Sequence, residues 1–344
     1  MEFGVNMKNK IFNITIIIVS LLFLIYFFIF QDGLRRFQDI LKIIRVEWLI
    51  AAAVLMLLYW LLETLIIHNL TRYLFPAQKP LQSLKAAMVG QFFGSVTPYQ
   101  TGAQPSLFYM FVGEGIEAGS ASSILMMKFV IHQSILTLFS FAIIIMKFRY
   151  FNSMMPHLFY ICLLGFLFNT GIIMAAVMFS INKKVTRSFL FAILKILSKI
   201  RLVKDVNKNV SHIENNLKDF HDNAELIAKN FKVLIKVVLC NAFQLLSFYS
   251  IPYCIYRSFN LNGATFWNML AAQTFVMMIV SIVPLPGGEG GAEGGFYFLF
   301  SIFFKKDIVP AIFLWRIITF YSCIGIGGIF TIFIPNKKVK NTKV

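Results

Sequence analysis

Six predominantly apolar runs of twenty or more residues constrain this chain more than any other feature. They lie at 11–30, 48–70, 120–146, 156–180, 233–259 and 309–334. About 20 residues of α-helix cross the roughly 30 Å hydrocarbon core of a bilayer. Hydrophobic residues make up 58% of the chain and its mean hydropathy is +0.74, against roughly 45–50% apolar usage in soluble domains. A soluble fold cannot hide this many long apolar runs. Spans of this length satisfy their backbone groups as helices, so the expected class is an all-α polytopic membrane protein with about six to eight transmembrane helices.

Two further apolar regions, 84–111 and 264–304, are interrupted by Gly and Pro. The second contains VPLPGGEGGAEGGF, with Pro284, Pro286, Gly287, Gly288, Gly290 and the carboxylates Glu289 and Glu293. Irregular backbone at membrane depth is tolerated only inside protein or along a wet cavity. Half-helix N-termini there expose N–H groups and a positive dipole end, which suits anions. Close helix packing accounts for glycines at small-xxx-small spacing, but not for the prolines and glutamates beside them.

The net charge of +17 follows the membrane pattern rather than a nucleic-acid one. Residues 181–236 carry twelve Lys/Arg against five Asp/Glu, and the tail NKKVKNTKV carries four lysines and no acid. The positive-inside rule places both segments, and the N-terminus, in the cytoplasm, facing anionic head groups. No nucleic acid is expected to bind directly. The four cysteines stand singly, with no C-x-x-C, and neither H-E-x-x-H nor G-x-x-x-x-G-K-[ST] occurs. No disulfide framework, metal, cofactor or ATP-driven step is expected.

The interrupted regions resemble each other. SVTPYQTGAQPSLFYMF (95–111) and SIVPLPGGEGGAEGGFYFLF (281–300) both open Ser-aliphatic-x-Pro, continue Gly-Ala-Gln/Glu and reach Phe-Tyr. Charge parity makes 84–111 a re-entrant pair of half-helices. It leaves 264–304 either re-entrant from the other side or crossing twice. The first choice is the inverted-repeat plan of many transporters. The expected organisation is a first membrane half at 1–180, with its broken element at 84–111. A cytoplasmic basic, amphipathic helical segment follows at 181–232. A second membrane half at 233–344 has its broken element at 264–304 and a short basic tail. Within the middle segment, an apolar seam spaced four and three apart runs from Val206 to Leu234. It suits packing on a neighbouring helix or on the membrane bundle, or else a coiled-coil homodimer. The basic stretch before it suits the inner-leaflet interface.

Ionisable groups inside spans are functional candidates by default. They are Glu63, Lys128 with His132 one helical turn on, Arg316, and the pair Glu289 and Glu293. A cavity built from them could hold a lipid head group, the acids taking an amine and Lys128 or Arg316 a phosphate.

At these residues the chain resembles the lysylphosphatidylglycerol synthase transmembrane-region family, the membrane half of the multiple peptide resistance factor. Pro284, Pro286, Gly287, Gly288, Gly290 and Glu293 fall on its P-x-P-G-G-x-G-x-x-E signature, and Thr97, Pro98 and Gly102 on its earlier Thr-Pro…Gly segment. Where that segment is expected to continue with an acidic and then a basic residue, Gln104 and Pro105 stand here. The resemblance implies a bacterial cytoplasmic-membrane protein, multi-pass with both termini inside, that moves an anionic or aminoacylated phospholipid to the outer leaflet and confers resistance to cationic peptides. It implies a separate soluble lipid aminoacyl- or glycosyltransferase as partner, because the family's cytosolic lysyl-transfer domain is absent from this chain. No residue is assigned a catalytic role. The alternatives are a phosphatidylglycerol lysyltransferase-type enzyme acting through the paired carboxylates, or a membrane partner that anchors such an enzyme.

Overall fold

The computed structural model describes residues 44–332 apart from 155, 200–205, 286 and 289. The expected first span at 11–30, the basic tail, Pro286 and Glu289 lie outside the described residues. The described chain is helical without strands. It comprises α1 (Val46–Leu74), α2 (Pro80–Ser95), α3 (Ala103–Gly113), α4 (Ala118–Met154), α5 (Pro156–Ile181), α6 (Lys183–Lys199) and α7 (Val206–Lys229). These are followed by α8 (Phe231–Ser258), α9 (Phe266–Val280), α10 (Gly291–Phe304), α11 (Ile308–Arg316) and α12 (Ser322–Thr331). A 3-10 turn at Lys305–Asp307 precedes α11, and a π-helical turn at Ile317–Tyr321 joins α11 to α12.

Among the described residues, five helical segments are long and apolar enough to cross a membrane. They are Val46–Leu74, Ala118–Ser153, Tyr160–Ile181, Phe231–Ser258 and Gly291–Thr331. The last is not one rod. Lys305 sits at φ 51°, and the chain reverses there. Phe296 stacks on Trp315 at 4.7 Å between centroids, and Glu293 reaches Arg316, so residues equally far from the turn face each other. Thus α10 runs back along α11, and the last full-length arm is residues 308–331.

Both interrupted regions form helical hairpins. An added Cβ on Gly90 would lie 3.3 Å from Leu107, and one on Gly94 3.4 Å from Ala103, so α2 and α3 run antiparallel. A Cβ on Gly295 would lie 3.5 Å from Ile279 and 3.7 Å from Val276, which pairs α10 with α9. At 1.5 Å rise per residue these arms are roughly 24, 17, 23 and 21 Å long. Each falls short of the roughly 30 Å hydrocarbon core. Arms of this length fit a re-entrant hairpin at 264–304 better than a double crossing.

The two hairpins enter from opposite ends of the last arm. Gly327 packs on the Met88 carbonyl, at 2.8 Å from an added Cβ, while Val96 shares a small core with Phe320 and Ile324. So α2 runs antiparallel to α12, from the arm's end toward its middle. The second hairpin leads into the arm's beginning through Lys305–Asp307. Its tip glycine, Gly287, lies against the Phe320 ring. Phe320 stands at the midpoint of 308–331, and both tips reach it.

The apolar seam of the polar segment does not continue unbroken to Leu234. Asn230 stops it: its side chain accepts the Val233 N–H at 3.1 Å and starts α8 as a new helix. Seam residues Phe220, Ala224 and Ile227 are buried, and the last two share a core with Ile66, Ile67, Leu70 and Ile124 of α1 and α4. Gly119 at the start of α4 admits α7 so closely that a Cβ would meet the Asn216 carbonyl at 2.5 Å. Asn223 donates to Ser120 at 2.9 Å. The seam's described half thus packs on the membrane bundle.

Two stability predictions follow from this packing. On α5, a Cβ on Gly165 would collide with the Met278 carbonyl of α9, whereas Gly171 has nothing within 4 Å. Gly165→Ala is expected to cost about 1–3 kcal/mol through overpacking and to lower the melting temperature of the detergent-solubilised protein. Gly171→Ala should leave that temperature almost unchanged. On α7, His221 Nδ1 lies 3.2 Å from the Ser180 carbonyl, to which a neutral imidazole N–H can donate, and Nε2 is buried without a partner. Burial holds its pKa below the usual histidine value of about 6.5. The unfolded chain therefore takes up the proton first, and the stability His221 contributes is full above that value and lost as pH falls through the lower folded value. Melting curves across this range should show a steeper acid loss for the parent protein than for His221→Phe.

Candidate functional site

The two tips tie their broken backbones in different ways. In the first, Thr97 Oγ donates to the Phe93 carbonyl at 2.6 Å and accepts the Gly102 N–H at 2.8 Å. Gly102 caps α3, and an added Cβ there would meet Phe93 O at 2.7 Å and Thr97 at 2.8 Å, so only glycine fits. Between them Pro98, Tyr99, Gln100 and Thr101 are exposed. Tyr99 and Gln100 have φ of 51° and 57°, a left-handed backbone that side chains rarely adopt. Gln104, one turn into α3, carries a buried Oε1 with no hydrogen-bond partner.

In the second tip, Gly287, Gly288 and Gly290 adopt φ of 59°, 65° and 74°, which glycine does at no steric cost. Pro284 is exposed. Glu293 lies in the first turn of α10, and its two carboxylate oxygens have separate partners. Oε2 accepts the Gly290 N–H at 2.8 Å, and Oε1 takes Arg316 Nε at 2.6 Å. A carboxylate capping the N-terminus of its own helix is also favoured by the dipole.

Arg316 ends α11 and is 3% exposed. Besides Glu293, its Nη1 donates to the Gly287 carbonyl at 3.3 Å, and its guanidinium lies 4.8 Å from the Phe320 ring centroid and 5.2 Å from that of Trp315. Nη2 is buried without a hydrogen-bond partner. The following π turn, Ile317–Tyr321, carries Phe320 between the tips. Such turns recur at functional sites.

A second buried charge group lies between α1, α4 and α8. Lys128 Nζ pairs with Glu63 Oε1 at 2.6 Å, and Gln244 Nε2 donates to Glu63 Oε2 at 2.8 Å. His132 Nδ1 stands 3.2 Å from Asn241 Oδ1. Polar contacts lie between the two groups: Tyr59, one turn before Glu63, meets Gln91 of α2 at 3.3 Å, and Cys323, one turn after Phe320, lies 3.9 Å from Gln91 Oε1 and 3.3 Å from the Thr319 carbonyl of the π turn.

The structure thus brings Gly287, Gly288, Gly290, Glu293 and Arg316 together in one tip, and Thr97, Pro98, Gly102 and Gln104 in or beside the other. Glu63 and Lys128 form their own pair. Glu293 and Glu63, expected to take a ligand's amine, are paired with Arg316 and Lys128, expected to take its phosphate. Sequence reasoning missed Gln91, Tyr59, Gln244 and Phe320. The first three are polar residues inside apolar helices, a signal that a search for charges alone passes over; Phe320 is one of 39 phenylalanines.

A sequence profile described as "Lysylphosphatidylglycerol synthase TM region" matches residues 12–327. A "UPF0104 membrane protein" of Archaeoglobus fulgidus is 26% identical over 317 residues, covering 86% of this chain and 90% of that protein.

Breaking one partner of a buried ion pair costs about 3–5 kcal/mol, while removing both costs far less. Glu293→Gln and Arg316→Met should each strongly lower the melting temperature, and the double variant should lie well above the sum of the two losses. Additive losses would show that the pair is not coupled.

Proposed function

This chain belongs to the lysylphosphatidylglycerol synthase transmembrane-region family, and from that premise we propose that it translocates a phospholipid across the cytoplasmic membrane of a bacterium, with the head group passing between the two hairpin tips. The observation that carries this reading is the meeting of two short helical hairpins, entered from opposite ends of the last arm, at Phe320 beside Arg316. A multi-pass protein of this plan exposes its midplane site to alternating sides when one half rocks against the other. In the second tip Gly290 is exposed with nothing within 4 Å of an added Cβ, so a head group can approach the backbone there without side-chain obstruction.

On this reading the lipid is anionic or aminoacylated, made by a separate transferase, and its export lowers the outer surface's negative charge and protects against cationic peptides. Both termini then lie in the cytoplasm, where the basic segments face anionic lipid. Thr97, Pro98, Gly102, Gln104, Pro284, Pro286, Gly287, Gly288, Gly290, Glu289, Glu293 and Arg316 are its candidate contacts.

The test is expression in a host lacking any relative, with and without a lysyl-lipid synthase. The expected result is unchanged lipid composition, but a rise in aminolipid reached by a membrane-impermeant amine reagent when both genes are present. Gly287→Val, which would drive a side chain into Phe320, should abolish that rise. New aminoacyl lipid made by this chain alone would instead establish it as the enzyme.

A further inference from the structure

The Glu63 group is more than a structural ion pair. Buried pairs seldom stabilise a fold relative to apolar residues of similar volume, and an ionisable group at membrane depth marks a functional path. Three helices converge on this carboxylate, and it is 7% exposed. Lys128 reaches it from α4 and Gln244 from α8, while Tyr59 stands one turn away on α1 itself. The ionisable groups packed around it are Lys128 and His132 on α4, and Tyr59 on its own helix. From α8 the Gln244 amide bonds it directly, while Asn241 of α8 meets His132 and Gln91 of α2 meets Tyr59. The side chain of Lys128 is the more open member of the pair, at 14% exposure against 9% for Glu63.

Gln244 is the second observation. It is 1% exposed and gives its Nε2–H to Glu63, yet its Oε1 is buried with no donor. A buried unmade acceptor costs about 1–3 kcal/mol. That arrangement suits an ionised Glu63, which can only accept. A protonated Glu63 has an O–H to donate. A turn of the Gln244 amide that brings Oε1 onto that proton while an Nε2–H stays on the other carboxyl oxygen gives the cyclic pair of an acid with a primary amide and satisfies the orphan. The site therefore has two self-consistent arrangements that differ by one proton.

We propose that Glu63, Lys128 and Gln244 form a proton-linked anion site, in which protonation of Glu63 turns the Gln244 amide and releases the Lys128 ammonium to hold an anionic phosphate oxygen. The proton comes from the aqueous side and moves no other bond; the Lys128–Glu63 ion pair is replaced by a Lys128–phosphate pair. This rests on the reading of the chain as a lipid translocator and adds to it a driving force. By linkage, the factor by which a proton tightens anion binding equals the factor by which the anion tightens proton binding. The contacts of Tyr59, Gln91 and Cys323 lie between this site and the π turn between the tips.

The test uses the purified full-length chain in phosphatidylcholine vesicles with a trace of acyl-chain-labelled phosphatidylglycerol. Binding and leaflet exchange of the label are measured separately. The parent should bind about tenfold or more tighter near pH 5 than near pH 8, with a ceiling of about a thousandfold because one linked proton changes affinity by at most tenfold per pH unit. Glu63→Gln, which mimics the protonated acid in shape and charge, should bind at the acid level at both pH values. Lys128→Met should bind weakly at both. If Lys128→Met fails to fold because it strands a carboxylate, Glu63→Gln/Lys128→Met takes its place and must also bind weakly at both. Competition by inorganic phosphate would support the site and identify free phosphate as its ligand; no competition would support it as a lipid site. Glu63→Gln retaining the parental pH dependence, or loss of Lys128 leaving binding intact, would overturn the proposal. Proton-linked binding without leaflet exchange would leave this site standing and overturn the translocation reading instead.

Discussion

Everything around the second tip depends on one guanidinium. Arg316 holds the α10 carboxylate with Nε and a loop carbonyl with Nη1, and two aromatic faces lie against it. In an apolar medium no water is present to satisfy a broken backbone, so a helix interrupted by ten residues between Val280 and Gly291 must find polar partners in the protein. Glu293 supplies the acceptor for the Gly290 N–H, and Arg316 supplies the partner for its other carboxylate oxygen. The same contact fixes how far α10 lies back along α11 and thus where the tip meets Phe320.

The first tip solves the same problem without charge. Thr97 relays between the Phe93 carbonyl and the Gly102 N–H, and the turn is closed by two side-chain-bearing residues at positive φ. A hydroxyl bridge is weaker than a charge-assisted one, and left-handed backbone at non-glycine residues is costly. The two hairpins share a plan but not their stiffness. The first is strained and exposed at its turn, and the second is glycine-rich and locked by an ion pair.

The membrane-depth charges also divide by role. Glu293–Arg316 is saturated, apart from one guanidinium nitrogen, and belongs to the architecture of the tip. Glu63–Lys128 joins three helices and leaves an amide oxygen unsatisfied. Pairing keeps both groups nearly neutral, which reduces the cost of burying them, while a single proton changes the balance at the second. The second group lies where α8 packs along α1.

Class and membership were legible in the residues themselves. Hydropathic length depends only on local composition and bilayer thickness, and so do glycines and prolines that break a helix. From these came the spans, the two broken regions and the resemblance between 95–111 and 281–300. Charge parity left the second region open, because parity counts crossings and cannot measure how long each arm is. The tertiary structure supplies that measure: α9 and α10 have only 15 and 14 residues, shorter than a full crossing. It also decided that Glu293 pairs with Arg316 and Glu63 with Lys128, which are 23 and 65 residues apart. Periodicity carries no information on which helix faces which. The neutral residues that complete both groups, Gln91, Tyr59, Gln244 and Phe320, acquire a role only from their neighbours. The sequence by itself determined that helices would cross, break and carry charge within a bilayer; which charges meet, and that the two breaks meet at one phenylalanine, was decided by packing alone.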